Sequence, residues 1–257
     1  MLLAINANNT NTVFAVWDGN ALTGSWRAAT DPRRTADESV VWLDHLLGLG
    51  GLARRQIDGA IIGSVVPDAN FNLHRLCRVY CGSEPLLVGD PSLSTGIELL
   101  VDRPEEVGAD RIVNTVAAHE RYGGPLIIVD FGTATTFDVV DHAGNYRGGV
   151  ISPGINLSLQ ALALAAAKLP SVPIVRTQTV IGTSTVACMQ SGIFWGYVGL
   201  VEGLVQRIKA EFGTAMRVVA TGGLAPLFDG AIPAIEHNDP TLTLWGLKLL
   251  FDRNRTA

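Results

Sequence analysis

The chain reads as two similar α/β domains laid end to end, and three observations point there. A strand–turn–strand line at the start, LLAINANNTNTVFAVWDGN (Leu2–Asn20), recurs in mid-chain as LIIVDFGTATTFDVVDHAGN (Leu126–Asn145). Asn6 then falls on Asp130 and Asn8 on Gly132, 124 positions later. Strand and helix signals alternate through both halves. The 257 residues, 47% hydrophobic and 17% charged, have the length and composition of one large globular domain or two ordinary ones, and not of a disordered chain.

In the first half, Leu2–Ile5 and Val13–Trp17 are apolar runs around an Asn- and Thr-rich turn, and Ala21–Ala28 is a third strand. Thr35–Leu47 has helical spacing, with Asp37 and Glu38 near its start, where acids suit the helix dipole. GAIIGSVVP (Gly59–Pro67) is short and continuously apolar, as a parallel strand covered on both faces should be. Phe71–Cys81 is a helix, Pro85–Val88 a strand, and Ala109–Tyr122 a helix that stops at Gly123-Gly124. The second half restarts the plan with strands Leu126–Val129 and Thr136–Val140, a turn at HAGN, the stretch RGGVISPGI, and a helix over Ile155–Lys168. A long helix runs from about Ser184 to Phe212, RVVATGG (Arg217–Gly223) is a strand entering a glycine turn, and Leu242–Phe251 closes as a helix. No low-complexity linker intervenes, so the seam is expected near Tyr122–Pro125, dividing 1–122 from 123–257.

Nineteen bases against 24 acids give a net charge of −5, without the basic stripe that a nucleic-acid surface needs, so no nucleic-acid partner is expected. The apolar stretch Ser191–Val205 is broken by Gly192, Gly196, Gly199, Glu202 and Gly203, and no membrane span is expected. MLLAIN has no basic leader and reads as a buried strand. Three cysteines, Cys77, Cys81 and Cys188, suggest no disulfide framework and fit a reducing cytoplasm. His74, Cys77 and Cys81 could share a helical face as metal ligands, but no clear fourth ligand lies nearby. The preferred reading of NLHRLCRVYC is an amphipathic helix that buries its thiols.

The repeated hairpin carries the chemistry. A strand–turn–strand with Asp, Gly and Thr can serve phosphate: glycine lets the backbone approach closely, exposed N–H groups and hydroxyls donate to the oxygens, and Asp holds a cation. DFGTATT has all three parts, whereas NANNTNT keeps the donors without the carboxylate or the glycine. One such turn is a weak signal; two, each opening a half of the chain, imply a nucleotide held between domains. PEEVGADRIVN (Pro104–Asn114) sets an acid beside a fixed cation at a helix start, able to take a proton from an acceptor hydroxyl and to hold an anionic substrate. TGG (Thr221–Gly223) after a strand offers a backbone wall for a nucleotide. Thr183, Ser184 and Thr185 precede the long helix, whose small residues Gly192, Gly196, Gly199 and Gly203 make a candidate dimer surface.

Taken in order, NTNTVFAVWDG, RRTADE, PEEVGADRIVN, VDFGTATTFDVV, GGVISPGI, MQSGIFWGYVGLVEGLV and TGG resemble the type III pantothenate kinase family nearly end to end. The resemblance implies the acetate and sugar kinase/Hsp70/actin fold, with two ribonuclease H-like domains, in a homodimer. It implies ATP-dependent phosphorylation of pantothenate to 4′-phosphopantothenate, the first step towards coenzyme A, with Mg²⁺ and a monovalent cation, K⁺ or NH₄⁺. By the same resemblance Asp110 is the catalytic base, and Gly108, Ala109, Asp110 and Arg111 bind pantothenate. Thr185 reaches pantothenate across the dimer, Asp130 is the monovalent-cation ligand and Thr133 an ATP contact. Asn6, Ala7, Asn8, Asn9, Thr10, Asn11, Thr12 and Val13 form the first phosphate loop.

Three departures stand out. The family has Asp-x-Gly-Asn-Thr where this chain has Asn6-Ala7-Asn8-Asn9-Thr10, and Tyr-x-Asn-Pro where it has Val101-Asp102-Arg103-Pro104. IGTST also lacks the lysine and asparagine often found beside the threonine. Asn8 is expected to keep a left-handed backbone path that glycine would otherwise supply, since asparagine tolerates positive φ best among the other residues. An active kinase is the leading reading. The alternatives are a catalytically impaired nucleotide-binding relative with an accessory role, and a kinase for another small polyol.

Overall fold

The computed structural model describes residues 1–166 and 169–255; the end of the expected helix Ile155–Lys168 lies outside them. The hairpin repeat extends to whole sheets. The first sheet comprises β1 (Leu2–Ala7), β2 (Asn11–Asp18), β3 (Ala21–Ala29), β4 (Gly59–Ser64) and β5 (Leu86–Leu87), in the order β3-β2-β1-β4-β5. The second comprises β6 (Leu126–Phe131), β7 (Ala134–Val140), β8 (Tyr146–Pro153), β9 (Arg217–Thr221) and β10 (His237–Asn238), in the matching order β8-β7-β6-β9-β10. In each, three strands form an antiparallel meander and two more add in parallel to the first.

Burial explains the patterns seen in the sequence. Every residue of the central strand β1 is buried, and Leu126–Val129 of β6 are fully so, hence their unbroken apolar runs. The edge strands β3 and β8 instead alternate between exposed and partly covered positions. The two-residue strand β10 escaped sequence reading because it is too short to show a period.

The helices are α1 (Ala36–Leu49), α2 (Pro67–Arg75), α3 (Ala109–Tyr122), α4 (Ile155–Ala165), α5 (Thr185–Phe212) and α6 (Leu242–Asn254). Thr35 opens α1 with a reciprocal cap: its hydroxyl accepts the Glu38 N–H at 3.2 Å, and the Glu38 carboxylate accepts the Thr35 N–H at 2.8 Å. Pro67 starts α2 four residues earlier than expected, where its locked φ suits a first helical position. A π-helical turn over Leu76–Tyr80 follows and interrupts the expected regular helix. Ser184 caps α5, accepting the Ala187 N–H at 3.2 Å, and Gly213 ends it with φ 79°.

The chain forms two compact units. One takes Met1–Glu98, Asp102–Glu120 and Thr241–Ala257; the other takes Leu99–Val101 and Arg121–Pro240. The first has a core of Leu3, Ile5, Phe14, Leu43, Ile62 and Leu76. α6 belongs to this unit and packs on α3 so closely that a Cβ on Gly246 would stand 2.6 Å from Val113 Cγ1. The second core gathers Ile127, Val129, Phe131, Phe194, Val201 and Phe228. Among the described residues, no helix is long and apolar enough to cross a membrane.

Candidate active site

In the first unit, β1 and β2 are joined by the three-residue turn Asn8-Asn9-Thr10, closed by the Asn8 N–H donating to the Asn11 carbonyl at 3.0 Å. Asn6 is buried at the end of β1, and its side chain makes no hydrogen bond to the described residues. The Asn8 Oδ1 is also buried without a partner. A buried carbonyl oxygen left unpaired is costly, which marks this one as a group that awaits a donor or a cation.

The expected left-handed turn is absent, and that reading is corrected. No described residue other than glycine has positive φ, and Gly132 in the sister turn does not have it either. A Cβ at Gly132 would meet only ordinary contacts, at 3.4 Å from the Ala134 carbonyl and 3.8 Å from Asp130 Oδ1. Glycine there leaves bare backbone open to a ligand; it does not relieve a forbidden conformation. Asn8, likewise without positive φ, needs no glycine-like conformation in its own turn.

The GADR segment heads α3. Asp110 is half-buried, and its Oδ1 accepts the Arg111 N–H at 2.8 Å. Gly108 makes room for it, since a Cβ there would lie 2.6 Å from that oxygen. Burial pushes the Asp110 carboxyl above the usual carboxylate range, against the opposing pull of the Arg111 N–H and guanidinium. The segment adjoins the end of β1, where the Asn-rich turn begins, through Val65. The Val65 N–H donates to the Ala7 carbonyl at 3.0 Å, and its Cγ1 would be 3.5 Å from a Cβ on Gly108. Within this unit the candidate base and the end of β1 are therefore neighbours.

In the second unit, Asp130 lies in β6 between Thr136 of β7 and Thr221 of β9. The turn that follows is Gly132-Thr133, and the TGG segment closes on its far side. Gly222 has φ 93° and presses its backbone against both the Asp130 carboxylate and the main chain of Phe131. Thr221, expected as part of a nucleotide wall, turns its hydroxyl inward to the Asp239 carbonyl at 2.8 Å, so the backbone of Gly222-Gly223 is what faces out. Thr185 is exposed at the first residue of α5.

The cysteine-bearing helix offers no comparable chemistry. Cys77 is fully buried and Cys81 partly so; burial pushes both thiols up, Cys81 to about 11. His74 pairs instead with Glu84 at 2.8 Å. Among the described residues no three His, Cys, Asp or Glu side chains gather as metal ligands.

Sequence reasoning missed two groups, Thr30 and Tyr197. Thr30 donates to the Asn8 carbonyl at 2.6 Å, and Tyr197 hydrogen-bonds Thr135 behind the second turn. No spacing signal could have found them, because both act across strands or from a distant helix.

The comparisons agree with this geometry. The sequence matches the family model for type III pantothenate kinase over residues 2–207. A type III pantothenate kinase of Paramagnetospirillum magneticum is 64% identical over 256 residues, covering 100% of this chain and 98% of that protein. One of Rhodospirillum rubrum is 61% identical over 255 residues, covering 99% of each. Among solved structures, the ROK hexokinase of Thermus thermophilus aligns with a TM-score of 0.51 at 14% identity, covering 97% of both chains. That likeness concerns the fold alone, the acetate and sugar kinase/Hsp70/actin fold with its two ribonuclease H-like domains. The chain belongs to the type III pantothenate kinase family.

Proposed function

We propose that this chain transfers the γ-phosphoryl group of ATP to the hydroxyl of pantothenate, giving 4′-phosphopantothenate, with Asp110 as the general base. The observation that carries the base is the half-buried carboxylate at the head of α3, with its pKa raised by burial and Arg111 beside it. A base whose pKa stands nearer the working pH accepts a proton more readily in the transition state. As the pantothenate oxygen bonds to the γ-phosphorus, its proton passes to Asp110 and the bond from phosphorus to the departing oxygen of ADP breaks. Arg111 holds the anionic end of pantothenate, and Gly108 and Ala109 complete its cradle.

The first phosphate loop, Asn6–Val13, and Thr133 receive the phosphates of ATP. The donor set around Asp130, one carboxylate with backbone oxygens, suits a monovalent cation such as K⁺ or NH₄⁺. The unpartnered Asn8 Oδ1 and the buried Asn6 amide suit hydrated Mg²⁺. Bound there, these cations would offset charge on the phosphates. The three cysteines are free, in keeping with a cytoplasmic enzyme.

The homodimer is part of the same reading, with Thr185 reaching pantothenate in the partner. In its support, a Cβ on Gly192, Gly196 or Gly199 of α5 would have no described atom within 4 Å, an open face that a second helix could approach closely. Leu164, Val180 and Ile181 in the same unit are exposed apolar groups. Sedimentation should find a dimer at micromolar concentration, and a fully active monomer would exclude this assembly.

Asp110→Asn tests the base. It should cut kcat by about 10²–10⁴-fold while ATP still binds. Near-normal turnover would remove Asp110 from the role.

A further inference from the structure

Behind the second phosphate loop lies a hydroxyl relay that the mechanism above does not use. Thr135 of β7 is buried, with its hydroxyl bonded to that of Tyr197 on α5. Tyr197 donates in turn to the Pro153 carbonyl at 3.1 Å. A phenol has one proton; with it committed to Pro153, Thr135 must be the donor to Tyr197. Burial pushes the Tyr197 phenol up and so keeps it protonated and a donor at neutral pH. Its ring is fixed by stacking on Phe228 at 5.6 Å and by tilting against Phe131, the last residue of β6, at 6.5 Å. Pro153 immediately precedes Gly154, whose N–H donates to the Thr133 carbonyl at 3.0 Å. One hydroxyl on α5 therefore fastens the start of β7, just past the Gly132-Thr133 turn, to the end of β8, whose next residue holds the Thr133 carbonyl.

The first unit has the same tie, built differently. Thr12 faces Ala7 across β1 and β2 as Thr135 faces Phe131 across β6 and β7. Its hydroxyl lies 2.8 Å from that of Thr30, which donates to the Asn8 carbonyl at 2.6 Å. The Thr30 N–H donates to the Thr10 carbonyl at 3.0 Å. Gly154 stands 124 positions after Thr30, also just past the third strand of its sheet, and its N–H does the same work. A side chain cannot follow, because a Cβ on Gly154 would lie 2.6 Å from the Gly132 carbonyl oxygen. The hydroxyl that Thr30 supplies locally comes, in the second unit, from a helix more than forty residues away (Tyr197 and Pro153 are 44 apart).

We propose that Tyr197 is a positioning residue for the nucleotide: it stands in for the side chain that Gly154 cannot carry and ties the second phosphate loop to α5. ATP affinity then depends on a buried tyrosine that does not touch ATP. The inference rests on the reading of Thr133 and Asp130 as nucleotide and cation contacts.

Tyr197→Phe removes the hydroxyl and keeps the stacked ring. On the intact protein, calorimetric titration with a non-hydrolysable ATP analogue should show Kd raised about three- to tenfold, while KM for pantothenate changes less than twofold. Thr135→Val cuts the tie from its other end and should lose affinity alike, whereas Thr135→Ser keeps the hydroxyl and should bind the analogue as the unmutated protein does. Thr133→Ala serves as the control for the underlying reading. A lower thermal midpoint with unchanged Kd in both Tyr197→Phe and Thr135→Val, beside a loss of affinity in Thr133→Ala, overturns the positioning role alone. Unchanged affinity in Thr133→Ala as well removes the loop from the nucleotide site and overturns both readings.

Discussion

Gly222→Ala asks whether the turn after β9 is the wall that holds Asp130. Gly222 has φ 93°, a backbone conformation that costs an L-residue about 1–2 kcal/mol. Its Cβ would also stand 2.6 Å from the carbonyl oxygen and 2.7 Å from the nitrogen of Phe131, main-chain atoms of a central strand that cannot swing aside. Overpacking of that kind costs roughly 1–3 kcal/mol. The two effects sum to roughly 2–5 kcal/mol, and a chain of this size loses about 2–4 °C per kcal/mol, so the thermal midpoint should fall by roughly 4–20 °C. Gly223 is the internal control: no atom of the described residues lies within 4 Å of a Cβ there and its φ is not positive. Gly223→Ala should therefore stay within about 0.5 kcal/mol of the unmutated protein. Scanning calorimetry of both variants gives the midpoints, and activity titrated against K⁺ and ATP gives the functional half. Because the added carbon also meets the Asp130 carboxylate, Gly222→Ala should lose cation activation beyond what its stability loss explains. An unchanged midpoint in Gly222→Ala, or equal losses at both glycines, would refute the reasoning.

Asp110→Asn should stabilise the fold while it slows the reaction. The folded-state pKa of Asp110 is raised, so its ionisation costs stability as pH climbs from the unfolded value through the folded one. The variant should melt above the unmutated protein at pH 8, and the two should converge below the unfolded pKa of about 3.9; a constant difference across that range would contradict the burial argument. Asp130→Ala should abolish the dependence on K⁺ or NH₄⁺ along with most activity, and full activity of the unmutated protein without either ion would count against that role. Asn6→Asp restores a full negative charge at the first loop and should lower the half-saturating Mg²⁺ concentration. If Mg²⁺ dependence stays the same, position 6 does not act on the metal.

Much of the architecture was legible because burial imposes short-range rules. Continuous apolar runs at Leu2–Ile5, Gly59–Pro67 and Leu126–Val129 have to hold interior strands, and they do as β1, β4 and β6, although the middle run leaves its sheet after Ser64 and Pro67 already opens α2. The starts of α1 and α5 were legible to within one residue, at Thr35 and Ser184, and the structure makes each of those residues the cap before its helix. What stayed hidden depends on partners far apart in sequence. That α6 returns to the first unit is decided by Gly246 against α3, and helical spacing alone names no such partner. The chemistry of Asp110 was readable as an acid at a helix start, but its raised pKa was not, because that comes from the burial around it.

The repeat itself shows where reading by offset stops. Overlaid at 124 positions, Thr12 falls on Thr136, and that match holds along β1 and β6. Across the turn the pairing slips by one: Ala7 pairs with Thr12, whereas Phe131 pairs with Thr135. The cause is a turn of three residues in the first unit and two in the second, visible in the hydrogen bonds Asn8 to Asn11 and Gly132 to Ala134. In space, then, the counterpart of Thr12 is Thr135, and a one-residue slip in an antiparallel pair exchanges the two faces of a strand. The shorter turn draws Gly154 against the Gly132 carbonyl and leaves no room for a threonine there. Where Gly154 has no room for a side chain, the hydroxyl that meets Thr135 comes from Tyr197 on α5.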